Sequence, residues 1–86
     1  MKSDLVLVTW YDAHSETGWF EPQEALDKHN PMTCWNVGWV VKKDKDGITL
    51  SPSVASDGGL GDVMFIPRGM IRQVTVIRKA RKRVRP

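Results

Sequence analysis

The chain has 86 residues, a formal net charge of +3 and one cysteine, Cys34. A chain of this length makes one small domain, and a single cysteine excludes both an intrachain disulfide and a zinc cluster built from thiols. No apolar run approaches the roughly 20 residues that a membrane span needs, so we expect no membrane partner and a cytoplasmic location.

The positive charge is concentrated at the C-terminus. Residues 78–86 hold six of the 13 lysines and arginines, which leaves seven basic against ten acidic residues in 1–77, a net charge of −3. We therefore divide the chain into a domain over 1–77 and a basic tail over 78–86. A basic tail favours a polyanionic partner, although a solvated charge run that maintains solubility is an alternative. Its basic residues are Arg78, Lys79, Arg81, Lys82, Arg83 and Arg85.

The first predicted strand covers residues 5–11. Its two alternating sets of side chains are both largely apolar, which is typical of a strand at the centre of a sheet or at a subunit contact. We therefore expect Trp10, in this strand, to lie at an interface between subunits.

A short helix is predicted over residues 22–28. Pro22 suits the first turn, where its missing N–H costs nothing, and Asn30-Pro31 ends the helix because the residue before a proline disfavours the helical conformation. We expect Leu26, together with Phe20, to cover one open end of a barrel.

A long antiparallel hairpin is predicted over residues 34–51. The turn lies at 44–47, where Gly47 can adopt the positive φ that a side chain resists. Apolar residues alternate in the first arm. We expect this alternating set to face the core; it consists of Trp35, Val37, Trp39 and Val41.

Two further strands are predicted over 62–66 and 70–77, joined by a tight corner at Pro67-Arg68-Gly69. The prediction thus comprises five strands and one short helix. Because only closure of a sheet removes its exposed edges, we predict a mainly β fold, a small five-stranded antiparallel barrel.

Two segments resemble the motifs of the Sm and Sm-like proteins. Residues 66–74 read Ile-Pro-Arg-Gly-Met-Ile-Arg-Gln-Val and look like the second Sm motif, an apolar residue, Arg-Gly and then spaced aliphatics. Gly38, Val40 and Asp44 match the spacing of the first Sm motif. Together with Trp10-Tyr11-Asp12-Ala13 near the start, this ending is also similar to small proteins of tailed bacteriophages.

The Sm resemblance implies an Sm-like/SH3-like barrel whose subunits pair edge strands into a ring that binds RNA at its inner loops. Sm proteins place Met-Asn after the Asp of the first motif, whereas this chain has Gly47-Ile48. The Asn that holds a base therefore has no counterpart, and we do not expect sequence-specific reading of uridine. A phage origin would place the protein in the host cell cytoplasm.

Arg68, beside Gly69, is the best single candidate for a nucleic-acid contact, because a guanidinium at a corner can stack on a base or grip a phosphate. The alternative is a salt bridge to Asp62 or Asp44 that braces the corner. Lys42 and Lys43, near the hairpin tip, are further candidates. Their alternative is a solvated turn with charges of both signs.

Catalysis and metal binding have little support in the sequence. Asp12, His14 and Ser15 are sequence neighbours, whereas a hydrolytic triad is assembled from separated positions. Cys34 beside a tryptophan is typical of a small buried apolar residue rather than a nucleophile paired with His29. We expect no enzyme, no metal and no cofactor.

The leading hypothesis is therefore a ring-forming homo-oligomer that binds RNA or single-stranded nucleic acid with little sequence preference. A second hypothesis is a protein-interaction module that occupies a host protein through Trp10, Trp19 and the acidic stretch 12–24. A third, weaker one is sequestration of a small nucleotide between ring subunits.

Overall fold

The computed structural model describes residues 3–15, 17–28 and 30–81. Strands dominate these ranges, so the predicted mainly β class is confirmed, and the helix has the predicted bounds. No helix within them is long and apolar enough to cross a membrane. The elements are β1 (Leu5–Asp12), α1 (Pro22–Lys28), β2 (Met32–Asp44), β3 (Gly47–Ser51), β4 (Ser53–Val54), β5 (Leu60–Gly61), β6 (Met64–Pro67), a 3-10 helix (Arg68–Met70) and β7 (Ile71–Arg78).

Five strands form one antiparallel sheet in the order β6-β3-β2-β1-β7, and β4 pairs with β5 in a small separate hairpin. The predicted five-stranded antiparallel sheet is confirmed, but the sheet is not closed into a barrel. Its two edges, β6 and β7, share no ladder in the part of the chain that the structure describes. β6 has only four residues, and β7 pairs with β1 on the far side of the sheet.

The core lies on one side of this sheet, here called the inner face. Alternate residues of β1 are buried there, and short aliphatic side chains from β3 and β6 pack against them. Burying these groups is the main favourable term for a domain of this size. The buried apolar residues are Val6, Val8, Trp10, Ile48, Leu50 and Ile66.

The predicted orientation of β2 is wrong. The β1–β2 register places Cys34, Asn36 and Gly38 opposite the buried residues of β1, so the inner face of β2 carries these small residues. The predicted core set lies on the opposite, outer face, where Trp35 is 65% exposed and Val37 50%. Because β2 is central and has apolar residues on both faces, alternation alone did not determine which face is buried.

Two local contacts explain this choice of face. The Trp10 indole N–H donates to Asn36 Oδ1 at 2.7 Å, so both polar groups are satisfied inside the core. At Gly38 a Cβ atom would lie only 3.1 Å from Leu50 Cβ and from the Ser51 carbonyl oxygen, so the strands approach closely there. The inner face accepts a large ring from β1 only because β2 contributes small residues.

The expected subunit-interface role of Trp10 must be corrected. Its side chain is only 8% exposed and belongs to the core of its own chain. The helix also departs from expectation, since no residue of α1 is buried and Leu26 is 73% exposed. α1 therefore does not cover an open end of the sheet.

Candidate nucleic-acid interface

The tip of the β2–β3 hairpin and the corner between β6 and β7 meet in the fold. We call this place the tip–corner junction; it comprises residues 42–47 and 67–69. Gly47 and Pro67 are register partners. The backbone N–H of Arg68 donates to the Asp46 carbonyl at 2.9 Å, and Arg68 Nη2 donates to the Asp44 carbonyl at 2.6 Å. Both ends of Arg68 therefore hold the corner on the hairpin tip.

Gly47 is the residue that permits this close approach. A Cβ atom at position 47 would lie 2.2 Å from the Ile66 carbonyl oxygen and 2.8 Å from the Phe65 ring, far inside normal contact distance. Gly69 has a different role, because a Cβ there would meet no heavy atom within 4 Å. Packing thus requires glycine at the tip but not at the corner.

The Asp44 carboxylate organises the turn itself. Its Oδ1 accepts the backbone N–H groups of Asp46 at 2.9 Å and Gly47 at 3.3 Å, the usual way in which an aspartate closes a turn. The hydrogen bond from Asp46, followed by that from the Lys42 side chain, lowers the pKa of Asp44 below its ordinary value of 3.8. Asp44 is therefore ionised at neutral pH.

Charges of both signs surround the tip–corner junction. Lys42 Nζ lies 3.3 Å from Asp44 Oδ2, and Lys45 Nζ lies 3.1 Å from Asp46 Oδ1; such exposed pairs contribute little to stability. Lys43 and Arg68 have no ion pair with any residue that the structure describes. With four basic and two acidic side chains, the junction has a formal charge of +2.

Arg68 braces the corner, but through a hydrogen bond to the backbone and not through the salt bridge considered from the sequence. Its guanidinium contacts the carbonyl of Asp44 rather than a carboxylate, so this contact leaves its positive charge without a counterion. A guanidinium carries five N–H donors, and the Asp44 contact uses a single nitrogen. Because the Arg68 residue is exposed, the remaining donors can reach a phosphate. Bracing and ligand contact are therefore compatible.

The first residues of the basic tail leave the sheet near Lys43. Ala80 donates its backbone N–H to Asp4 Oδ1 at 2.7 Å, which ties the chain after β7 to the start of β1. Lys43 and Ala80 line the same cavity of about 270 Å³. Arg78, Lys79 and Arg81 are all exposed, whereas the predicted contacts Lys82, Arg83 and Arg85 lie outside the described residues.

Trp19 and Cys34 lie away from the tip–corner junction. Trp19 is 102% exposed, so its expected interface role stays a prediction. Cys34 is a free, partly buried thiol on the inner face, and His29 is outside the described ranges. Among the residues that are described, no three His, Cys, Asp or Glu side chains cluster so that they could hold a metal.

Sequence reasoning missed the exposed aromatic residues of the outer face. Besides Trp35, the Tyr11 ring lies there with the Arg72 guanidinium 4.6 Å from its centroid, a cation–π geometry. Asn36 is the residue that could have identified the outer face. Its hydrogen bond to Trp10 requires it to point inward, and its neighbours Trp35 and Val37 must then point outward, because a polar residue on a central strand needs a buried partner. Trp10 was the available donor.

The fold brings together the two segments that resemble Sm motifs. Asp44, from the first, and Arg68, from the second, are joined through the Asp44 carbonyl oxygen. Comparison of the chain with protein-family models, with curated proteins and with solved structures finds no match.

Proposed function

We propose that this protein is a small Sm-like protein whose open five-stranded sheet assembles into a ring and binds RNA or single-stranded nucleic acid with little sequence preference. The observation that carries this proposal is the docking of Arg68 on the hairpin tip. It joins, in one exposed and positively charged site, the two loops at which the Sm resemblance implies RNA binding.

The two sheet edges support the assembly part of the proposal. β6 and β7 lie at opposite ends of the strand order and are connected by three residues of 3-10 helix. Unpaired edges present backbone donors and acceptors to another chain. Pairing β6 of one subunit with β7 of the next would satisfy both edges and close a ring, as the resemblance implies.

Electrostatics predicts how the protein would bind. Lys43 and Arg68 supply local contacts to phosphates, and the basic tail supplies most of the charge. Contacts to phosphate carry no sequence information, and the Asn that reads a base in Sm proteins is missing at positions 47–48. Binding should therefore be strong at low salt, steeply salt-dependent and similar for different sequences.

The test is fluorescence anisotropy with labelled single-stranded RNA and DNA at two salt concentrations. Removing residues 82–86 deletes three basic residues and should reduce the slope of log affinity against log salt by about 2. Arg68→Ala should weaken binding several-fold at low salt, whereas Lys28→Ala removes one positive charge from α1 and should leave binding unchanged.

Melting temperatures of the same variants separate bracing from binding. If Arg68→Ala lowers the melting temperature but keeps full affinity, Arg68 is only a brace. Absence of detectable binding at low salt would overturn the nucleic-acid proposal. A native mass equal to one chain at all concentrations would overturn the ring.

A second candidate function is a module that binds a host protein, and the full exposure of Trp19 favours it. Its test is capture of one defined protein from host lysate after nuclease treatment, by the wild type and by a form that lacks residues 78–86. Trp19→Ser should abolish this capture, and its persistence in that variant would contradict the role of Trp19.

A further inference from the structure

The outer face of the sheet carries an apolar strip of exposed and half-buried side chains. Its residues are cross-strand neighbours, with Leu5 opposite Trp39, Leu7 opposite Val37 and Thr9 opposite Trp35. Trp35 is 65% and Val37 50% exposed. Scattered exposed apolar residues are normal, but a contiguous group of this kind marks an interaction surface. We call the set Leu5, Leu7, Trp35, Val37 and Trp39 the outer strip.

Two arginines, one near each end of β7, border the outer strip. Arg78 is the register partner of Leu5, and Arg72 lies over the Tyr11 ring on the same face. Neither arginine forms an ion pair with a residue in the described ranges. A partner that fits this surface therefore needs apolar side chains to cover the strip and negative charge beside them.

The chain itself contains a segment of this chemistry, residues 17–28, which we call the acidic segment. It exposes two large apolar side chains, Trp19 at 102% and Leu26 at 73%. Three acidic residues and one lysine give it a net charge of −2; they are Glu21, Glu24, Asp27 and Lys28. Lys28 is already paired with Glu24 at 2.9 Å, so the unbalanced charge belongs to Glu21 and Asp27.

The dimensions of the two surfaces also agree. Trp35 and Trp39 are four residues apart on one strand, which corresponds to about 13 Å. Between Trp19 and Leu26 the chain comprises three non-helical steps and four helical ones, so these anchors are separated by at most about 16 Å. Two anchors on the segment can therefore cover both ends of the outer strip.

We propose that two copies of this chain associate by reciprocal exchange, with the acidic segment of each docked on the outer strip of the other. The surface area buried in the complex favours reciprocal exchange over one docking contact alone. An aromatic side chain buries about 150–250 Å², so one docking of Trp19 and Leu26 on the outer strip covers about 500 Å². Two dockings reach about 1,000 Å², the lower limit for a specific interface, and predict a weak, concentration-dependent pair.

This pairing is independent of the ring proposed above, because it uses side chains of the outer strip and not the backbone edges of β6 and β7. The experiment is native mass by sedimentation from 1 to 200 µM on the full chain. We expect the wild type to double its mass with concentration, and Trp19→Ser and Trp35→Ser each to weaken that step about 30-fold. Val63→Ser is the matched control, because Val63 is 52% exposed but lies outside both surfaces.

Mixing the two tryptophan variants tests the exchange itself. A mixed pair keeps one intact docking, so the mixture should associate more strongly than either variant alone. Circular dichroism confirms that each variant is folded, and Val37→Thr provides a milder change of the outer strip. The proposal is overturned if the wild type keeps the mass of the unpaired species at all concentrations, or if Trp19→Ser associates as strongly as the wild type. In the second case, weaker association of Trp35→Ser would show that the strips pair with each other, and normal association of both variants would assign association to the sheet edges.

Discussion

Replacing Gly47 with alanine is the sharpest test of how the tip–corner junction is built. The added Cβ would lie 2.2 Å from the Ile66 carbonyl oxygen and 2.9 Å or less from two carbons of the Phe65 ring. The carbonyl belongs to the β6 backbone and cannot rotate away as a flexible side chain could. Either β3 and β6 separate locally, or the hairpin tip shifts away from the corner.

The expected loss of stability follows from this geometry. Overpacking a tight site costs about 1–3 kcal/mol, and the φ of +156° at Gly47 adds backbone strain for any L side chain. We expect Gly47→Ala to reduce the free energy of unfolding by about 3 kcal/mol, a large part of the total for so small a domain. In a chain of this size this corresponds to a melting temperature lower by about 15 °C.

The assay is urea and thermal unfolding followed by tryptophan fluorescence, with Gly69→Ala as the matched control. Because a Cβ at position 69 meets nothing within 4 Å, Gly69→Ala should stay within about 0.5 kcal/mol of the wild type. If Gly47→Ala is as stable as Gly69→Ala, the close approach of β3 and β6 at the hairpin tip is wrong.

Three further predictions concern single polar contacts. Asn36→Ala leaves the buried Trp10 N–H without its acceptor at 2.7 Å and should cost about 1–3 kcal/mol in urea unfolding; an unchanged midpoint would contradict the contact. The fold lowers the pKa of Asp44 below 3.8, so its contribution to stability is complete at neutral pH and is lost as pH falls below that value through the folded-state pKa. Asp44→Asn should therefore lose stability less steeply in acid than the wild type, and parallel acid titrations would refute this. Asp4→Ala removes the acceptor for the Ala80 N–H at 2.7 Å, so the Ala80 amide should exchange faster in hydrogen-exchange NMR while the rest of β7 keeps its protection; unchanged exchange would count against that bond.

Local features were predictable because local rules determine them. Pro22 and the Asn30-Pro31 pair set the limits of a helix that the structure shows at Pro22–Lys28. The 44–47 turn also follows from its own residues, since Asp44 accepts the turn amides and Gly47 admits the close approach of β6. A contact between Arg68 and Asp44 was one of two possible braces of the corner, and local rules could not select it over Asp62, because positions 44 and 68 are 24 residues apart.

The sequence by itself determined the mainly β class, the antiparallel hairpin, the helix and the segregation of charge, because each depends on neighbouring residues or on composition. Only the tertiary structure decided which face of β2 is buried. Alternation is the same for both faces of a central apolar strand, and the choice depended on fitting the Trp10 ring against Asn36 and Cys34. With the other face of β2 buried, Trp35 and Val37 lie at the surface, although the sequence alone predicts both of them in the core.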